Sequence, residues 1–256
     1  MPLTAYLPPM AVVGSTSAPT RKLSLMAIIE FSSVDEQLAA LIEVIGESLI
    51  DAIQERGRGC FAVSGGNSPK ALYQALSQLD LPWDKVDIVM VDDRFVPLDH
   101  PASNEAMIRA TLLVNKASTA TFWPLFQAGE LEAVAADRAL AWRDLNTPDC
   151  AIIGMGSDGH TASWFPDAQG LDEALSPTAA PVCAVTAKQS EVTGANLQRL
   201  TVSYAYLSNC PVRMLLMAGD EKRKVFEQAC GVGAVNEMPI RALIRDAHSV
   251  TAYWTK

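Results

Sequence analysis

Several features are scarce in this chain of 256 residues. There are five cysteines (Cys60, Cys150, Cys183, Cys210, Cys230), scattered and without a CxxC spacing. That argues against a disulfide framework and fits buried thiols in a reducing cytoplasm. No apolar run approaches the ~18 residues of a membrane span. Basic residues are the minority, with Lys plus Arg 20 against Asp plus Glu 29 and a net charge of −9. No basic run interleaves with aromatics, so neither nucleic acid nor an anionic membrane is expected as a partner. A small anion stays open, because a pocket can be locally positive on an acidic protein. The sequence also lacks GxxxxGK[ST], GxSxG and HExxH, which removes the P-loop, the serine-hydrolase elbow and the zincin.

What is present describes an ordinary soluble globule, 49% hydrophobic and 19% charged. The length allows one domain or two and needs no metal or disulfide staple. Residues 1–25 are rich in Pro, Ala, Ser and Thr, with Arg21 and Lys22 as their only charges. A secretory signal places its positive charge before the apolar stretch, so that reading is rejected. We expect 1–25 to be a disordered extension or an over-long start, and 26–256 to be a single domain without repeat or linker.

From Met26 onward, apolar strand-like runs alternate with helical patterns. The runs are Ala27 to Phe31, Cys60 to Val63, Val86 to Val91, Cys150 to Ile153, Val212 to Met217, and the segment holding Tyr253 and Trp254. Ser33-Val34-Asp35-Glu36 reads as a capping box, and Leu38, Leu41, Ile42, Ile45, Leu49 and Ile53 follow at helical spacing up to Gly57. Further helices are expected from Pro69 to Leu79 with Ser68 as N-cap, from Ser103 to Val114, from Glu130 to Leu145, and from Asp220 to about Ala229. The alternation implies a three-layer α/β/α fold around a mostly parallel, Rossmann-like sheet.

Ligands in such sheets bind beyond the carboxyl ends of the strands, and four strand ends carry unusual loops. Ser64-Gly65-Gly66-Asn67-Ser68-Pro69 can bring backbone close to a phosphate monoester, or it is a plain strand-to-helix turn. In Asp92-Asp93-Arg94-Phe95-Val96-Pro97 the arginine can grip an anion, or it only pairs with the adjacent aspartates. His100 and the Ser103-Asn104 helix start read as loop furniture. Gly154-Met155-Gly156-Ser157-Asp158-Gly159-His160 matches GxGxxG literally. A dinucleotide site needs a long helix next, yet Pro166 comes seven residues after Gly159 and no ribose-binding acid follows. Asp158 and His160 instead suit proton transfer on a tight loop, since histidine titrates near neutral pH. A lone histidine is more often structural. The Asp-x-His pair shows no third or fourth metal ligand, so no metal is expected. Lys222, in Gly219-Asp220-Glu221-Lys222, sits where a helix start prefers acids, which hints at an anion partner or leaves a solvated lysine.

Together these residues resemble the 6-phosphogluconolactonase family. Its pattern is an SGGxTP loop, DER(W/F)VP followed by H-x-x-SN, and GMGxDGHTASLFP. Here stand Ser64 to Pro69, Asp92 to Pro97 with His100 and Ser103-Asn104, Gly154 to Pro166, and the Gly219 to Lys222 segment. The likeness runs from about Met26 to the C-terminus. Ser68 replaces a threonine, Asp93 a glutamate, Trp164 a leucine and Asp167 a glycine. The resemblance implies hydrolysis of 6-phospho-D-glucono-1,5-lactone to 6-phospho-D-gluconate in the oxidative pentose phosphate pathway, in the cytoplasm and without cofactor. It implies His160 as general base and Asp158 as its partner. It further implies that Ser64, Gly65, Gly66, Asn67, Ser68, Asp92, Arg94, Arg199 and Lys222 bind the phosphosugar lactone, in a monomer or weak homodimer. Glucosamine-6-phosphate deaminase shares the phosphate loop and the DGH but continues with a glutamate after the histidine. Thr161-Ala162-Ser163-Trp164-Phe165-Pro166 supplies none, which favours hydrolysis. An isomerase or deaminase and a non-catalytic sugar-phosphate sensor are the alternatives.

Overall fold

The computed structural model describes residues 27–256. The expectation for 1–25 therefore lies outside the described residues.

The strands are β1 (Ala27–Phe31), β2 (Gly59–Val63), β3 (Val86–Met90), β4 (Asp92–Arg94), β5 (Thr121–Trp123), β6 (Cys150–Ile153), β7 (Val182–Thr186), β8 (Gln198–Val202), β9 (Val212–Ala218) and β10 (Thr251–Thr255). The α-helices are α1 (Val34–Arg56), α2 (Lys70–Leu76), α3 (Asn104–Thr111), α4 (Leu131–Trp142), α5 (Leu171–Ala174), α6 (Tyr204–Leu207), α7 (Asp220–Cys230) and α8 (Arg241–Ile244). Seven strands form one sheet in the order β1-β10-β9-β6-β2-β3-β5, and every pairing in it is parallel. Helices flank it in the expected three-layer arrangement. Because β9, β6, β2 and β3 are consecutive neighbours, their carboxyl ends bring four sequence-distant loops side by side. β2 and β3 are buried along their whole length, as a sheet covered on both faces requires.

Local chemistry explains the boundaries. Ser33 Oγ accepts the Glu36 amide at 3.2 Å, and α1 closes at Gly57 with φ +80°, a left-handed cap that glycine adopts freely. The Glu36 carboxylate does not complete the box on Ser33. It takes the amide and hydroxyl of Ser32 at 3.1 and 2.6 Å. The buried stripe of α1 is also turned from the expected one. Gln37, Gly46 and Ala52 are buried with Leu41, Ile45 and Leu49, whereas Leu38, Ile42 and Ile53 are partly buried. Gln37 is tolerated there because its amide donates to the carbonyls of Met217 in β9 and Tyr253 in β10, at 3.0 and 2.7 Å.

Several expected bounds are corrected. Pro69, not Ser68, is the N-cap of α2, and no side chain caps it; the helix stops at Leu76, short of Leu79. Helix α3 ends at Thr111 and α4 at Trp142, each shorter than its apolar pattern. A second sheet, β4-β8-β7, is antiparallel and adds to the expected parallel one. Its strand β4 is Asp92–Arg94 itself, so the segment expected to be a loop after β3 is paired backbone.

Candidate active site

Beyond the ends of β2, β3 and β6 lies a cavity of about 280 Å³, walled in part by Ser64, Gly65, Asp92, Arg94, His160 and Arg199. A second cavity of about 200 Å³ adjoins it through the shared residues Ser64, Gly65, Gly154 and Met155, and Ser68 and Lys222 line it. Of the residues expected from sequence, Gly66 lines the first cavity. Asn67 is exposed and lines neither, and Asp158 lines a separate cavity with Ser157 and Met238.

The glycine loop after β6 sets a histidine–carboxylate pair. The His160 Nδ1 lies 2.6 Å from Asp158 Oδ1, and the same oxygen accepts the His160 amide at 3.1 Å. Gly156 is required where it stands, because a Cβ there would overlap both the imidazole and the Asp158 carboxylate. The glycines of the apparent GxGxxG thus make room for this pair. The helix a dinucleotide would need is missing, since the next one, α5, is the short segment Leu171–Ala174. A carboxylate beside Nδ1 assigns that nitrogen the proton, which leaves the Nε2 lone pair free, and Nε2 makes no hydrogen bond among the described residues. Phe165 packs on the imidazole at 4.2 Å between ring centroids. Burial pushes the Asp158 carboxyl up, but the hydrogen bonds and charge of His160 outweigh it and hold the carboxyl below its ordinary value.

The site cations share one arrangement. Arg94 Nη1 donates to Asn104 Oδ1 at 2.6 Å and to the Ala102 carbonyl at 3.4 Å. Arg199 gives Nε to the Asn196 carbonyl and Nη2 to the Thr193 carbonyl, at 2.8 and 2.9 Å, while its plane lies 5.2 Å over Phe165. Lys222 Nζ donates to the Met155 carbonyl at 2.5 Å. Each cation is oriented by a neutral oxygen, and none forms an ion pair with a carboxylate among the described residues. Elsewhere arginines do, as in Arg58–Asp87 at 2.8 Å and Arg213–Asp246 at 2.9 Å. Burial lowers the pKa of both Arg199 and Lys222, partly offset by Asp92 and Asp158 respectively. Held but unneutralised charge in a cleft is what an anion site needs.

The bland reading of Arg94 is thereby set aside, because the aspartates are engaged elsewhere. Asp93 accepts the amides of Arg94, Asn104 and Glu105 at 2.7, 2.8 and 3.0 Å, and so caps α3 together with Ser103 Oγ. Burial drives its carboxyl up to about 7 against those three donors. Asp92 Oδ2 takes the Ser163 hydroxyl at 2.6 Å. His100 accepts the Ala102 amide and stays loop furniture, and His248 is exposed.

Asn104 was misread. It is buried, lines the first cavity, and fills the space where a Gly65 Cβ would stand. Phe165 and Ser163 also went unassigned, although both lie within the Gly154 to Pro166 motif. Only their contacts reveal them, because packing on an imidazole or on a buried carboxylate has no local sequence signal. Two other departures have plain structural outcomes. Trp164 is fully buried with its indole N–H on the Val202 carbonyl at 2.9 Å. Asp167 holds φ +57°, a left-handed conformation that explains a glycine at that position in the family pattern.

Among the described residues, no group of three or more His, Cys, Asp or Glu comes together to hold a metal ion. No helix among them is long and apolar enough to cross a membrane.

A family model described as glucosamine-6-phosphate isomerases/6-phosphogluconolactonase matches residues 32–254. The 6-phosphogluconolactonase of Rhizobium meliloti is 42% identical over 218 residues, covering 84% of this chain and 92% of the relative. That of Mesorhizobium japonicum is 40% identical over 226 residues, covering 85% and 91%. The crystal structure of a 6-phosphogluconolactonase from Shewanella baltica superposes with a TM-score of 0.83 at 33% identity, over 91% of this chain and 99% of that one. A monomeric glucosamine-6-phosphate deaminase, with a TM-score of 0.73 at 16% identity, covers 90% of this chain and 98% of that one and shares the fold alone.

Proposed function

Because this chain belongs to the glucosamine-6-phosphate isomerase/6-phosphogluconolactonase family, we propose that it hydrolyses 6-phospho-D-glucono-1,5-lactone to 6-phospho-D-gluconate, with His160 as general base. The observation that carries this reading is a pair of adjoining cavities that set a carboxylate-fixed imidazole beside three cations with no ion-pair partner among the described residues. The cations hold the phosphate, remote from the reacting carbon. Binding energy gained there orients the lactone carbonyl beside His160.

His160 Nε2 takes a proton from water as the water oxygen bonds to C1, and the negative charge moves to the carbonyl oxygen. The adjacent loop amides, or a site cation that the phosphate leaves free, stabilise that oxyanion. As the tetrahedral centre collapses, the bond from C1 to the ring oxygen breaks. The imidazolium returns its proton to that oxygen, which leaves as the C5 hydroxyl. The new carboxylic acid ionises in solution. Asp158 keeps the imidazole in the required tautomer and lies beside the positive charge while it exists. The lactone is already an activated ester, so the scheme needs neither metal nor covalent intermediate. The product belongs to the oxidative pentose phosphate route.

The deciding experiment follows 6-phosphogluconate formation from freshly made lactone above the spontaneous rate, for wild type beside His160→Ala. Loss of roughly 10²–10⁴ in kcat in the variant, with KM little changed, is expected for removal of a general base. Equal rates in the two proteins would remove His160 from the mechanism. Activity in neither, with turnover of glucosamine-6-phosphate, would transfer the site to the isomerase–deaminase branch.

A further inference from the structure

We infer that Asn104 is a positioning residue that fixes selectivity for a phosphorylated substrate, by aiming Arg94 into the cavity without discharging it. The inference rests on the lactonase reading above and extends it to a residue that touches neither the imidazole nor its carboxylate partner.

Asn104 is the first residue of α3 and is 5% exposed. Its backbone amide is tied to Asp93 Oδ1 at 2.8 Å, so its Cα cannot drift. Its two amide ends face opposite kinds of partner. Oδ1 receives Arg94 Nη1 at 2.6 Å, and a guanidinium can only donate. Nδ2 gives to the Asp92 carbonyl at 3.2 Å, and a carbonyl can only accept. Inverting the amide would break both bonds, so its orientation is determined. The same side chain occupies the volume beside Gly65, which ties the glycine loop, β4 and α3 together at one point of the cavity wall.

Aspartate would preserve this shape but not the chemistry. A carboxylate at that place turns Arg94 into a closed ion pair, and its second oxygen opposes the Asp92 carbonyl. The guanidinium then brings little net charge to an incoming phosphate. A neutral carboxamide orients the same group and leaves its charge available. Thr193 and Asn196 hold Arg199 by the same logic, through carbonyl oxygens.

The test is Asn104→Asp, with Arg94→Ala and the double variant Arg94→Ala/Asn104→Asp, each checked for native thermal unfolding. Asn104→Asp is expected to raise KM for the phosphorylated lactone about tenfold or more, the scale of one charge-assisted hydrogen bond, with kcat within about threefold of wild type. Unphosphorylated glucono-1,5-lactone has no phosphate for Arg94 to hold, so selectivity between the two lactones should fall by the same factor. In the Arg94→Ala background, Asn104→Asp should add less than about twofold, because the two residues act as a unit. An effect on kcat alone, equal effects on both lactones, or additive effects in the double variant would each overturn the inference. Should Asn104→Asp fail to fold, Asn104→Ala replaces it, with a smaller KM rise expected and the same non-additivity. If wild type hydrolyses no lactone, the lactonase reading fails by itself. Calorimetric titration of 6-phosphogluconate into wild type and variant then decides the Asn104 inference, with weaker binding by the variant expected and equal binding overturning it.

Discussion

Arg94 and Arg199 stand directly opposite each other in the antiparallel pairing of β4 with β8. Like charges at paired positions of a sheet repel, and among the described residues neither one forms an ion pair with a carboxylate. The sheet bears this arrangement because each guanidinium is held by neutral oxygens, Asn104 Oδ1 for one and the Thr193 and Asn196 carbonyls for the other. A bound phosphate would relieve the repulsion and gain the charge-assisted bonds. Arg94→Ala is therefore expected to raise KM about tenfold and to change kcat less, measured by initial rates on the phosphorylated lactone. The affinity for 6-phosphogluconate should also become less sensitive to salt.

Gly156→Ala tests the space under the His160–Asp158 pair. Its methyl group would overlap the imidazole and the Asp158 carboxylate, so the pair must separate. A displacement of about 1 Å at a reacting group costs roughly 10² in rate. The expected outcome is a fall of that order in kcat, with KM and the far-ultraviolet circular dichroism spectrum retained. Wild-type turnover would show that the loop opens freely.

Asp158→Asn tests the carboxylate and gives a pH signature. The folded Asp158 carboxyl titrates below its ordinary value, so the charged form is favoured by folding. The stability it contributes is fully present above the unfolded value of about 3.9, and it is lost as pH falls through the lower folded value. Wild type should accordingly exceed Asp158→Asn in urea midpoint at pH 7, and the gap should narrow progressively as pH falls below about 3.9. A gap that stays constant with pH would mean that Asp158 acts only by its shape.

Asp167 offers a test of backbone strain away from the chemistry. At φ +57° a β-carbon is disfavoured, and aspartate is among the few residues that tolerate it. Asp167→Ala should cost about 1 kcal/mol in chemical unfolding, whereas Asp167→Gly should cost nothing or stabilise. The contact to Lys188 at 3.5 Å lies between exposed side chains and contributes little to the difference.

The sequence by itself determined the parallel core and the chemistry-bearing loops. Strands such as Cys150–Ile153 are short apolar runs set between glycine-rich turns and polar helix starts, and that contrast is local. The Asp158–His160 pair was equally legible, because two residues on one tight loop must meet. Tertiary structure alone decided the rest. Strands β7 and β8 carry no clear alternation, and β8 also pairs with β4, far earlier in the chain, so the second sheet has no local sequence signal. Asn104 became a site residue only when strand order brought α3 against the Gly65 loop and Arg94. Periodicity and capping act over a few residues and fix elements. Which cation stays unneutralised depends on what lies across the cleft, and only the assembled sheet supplies that neighbour.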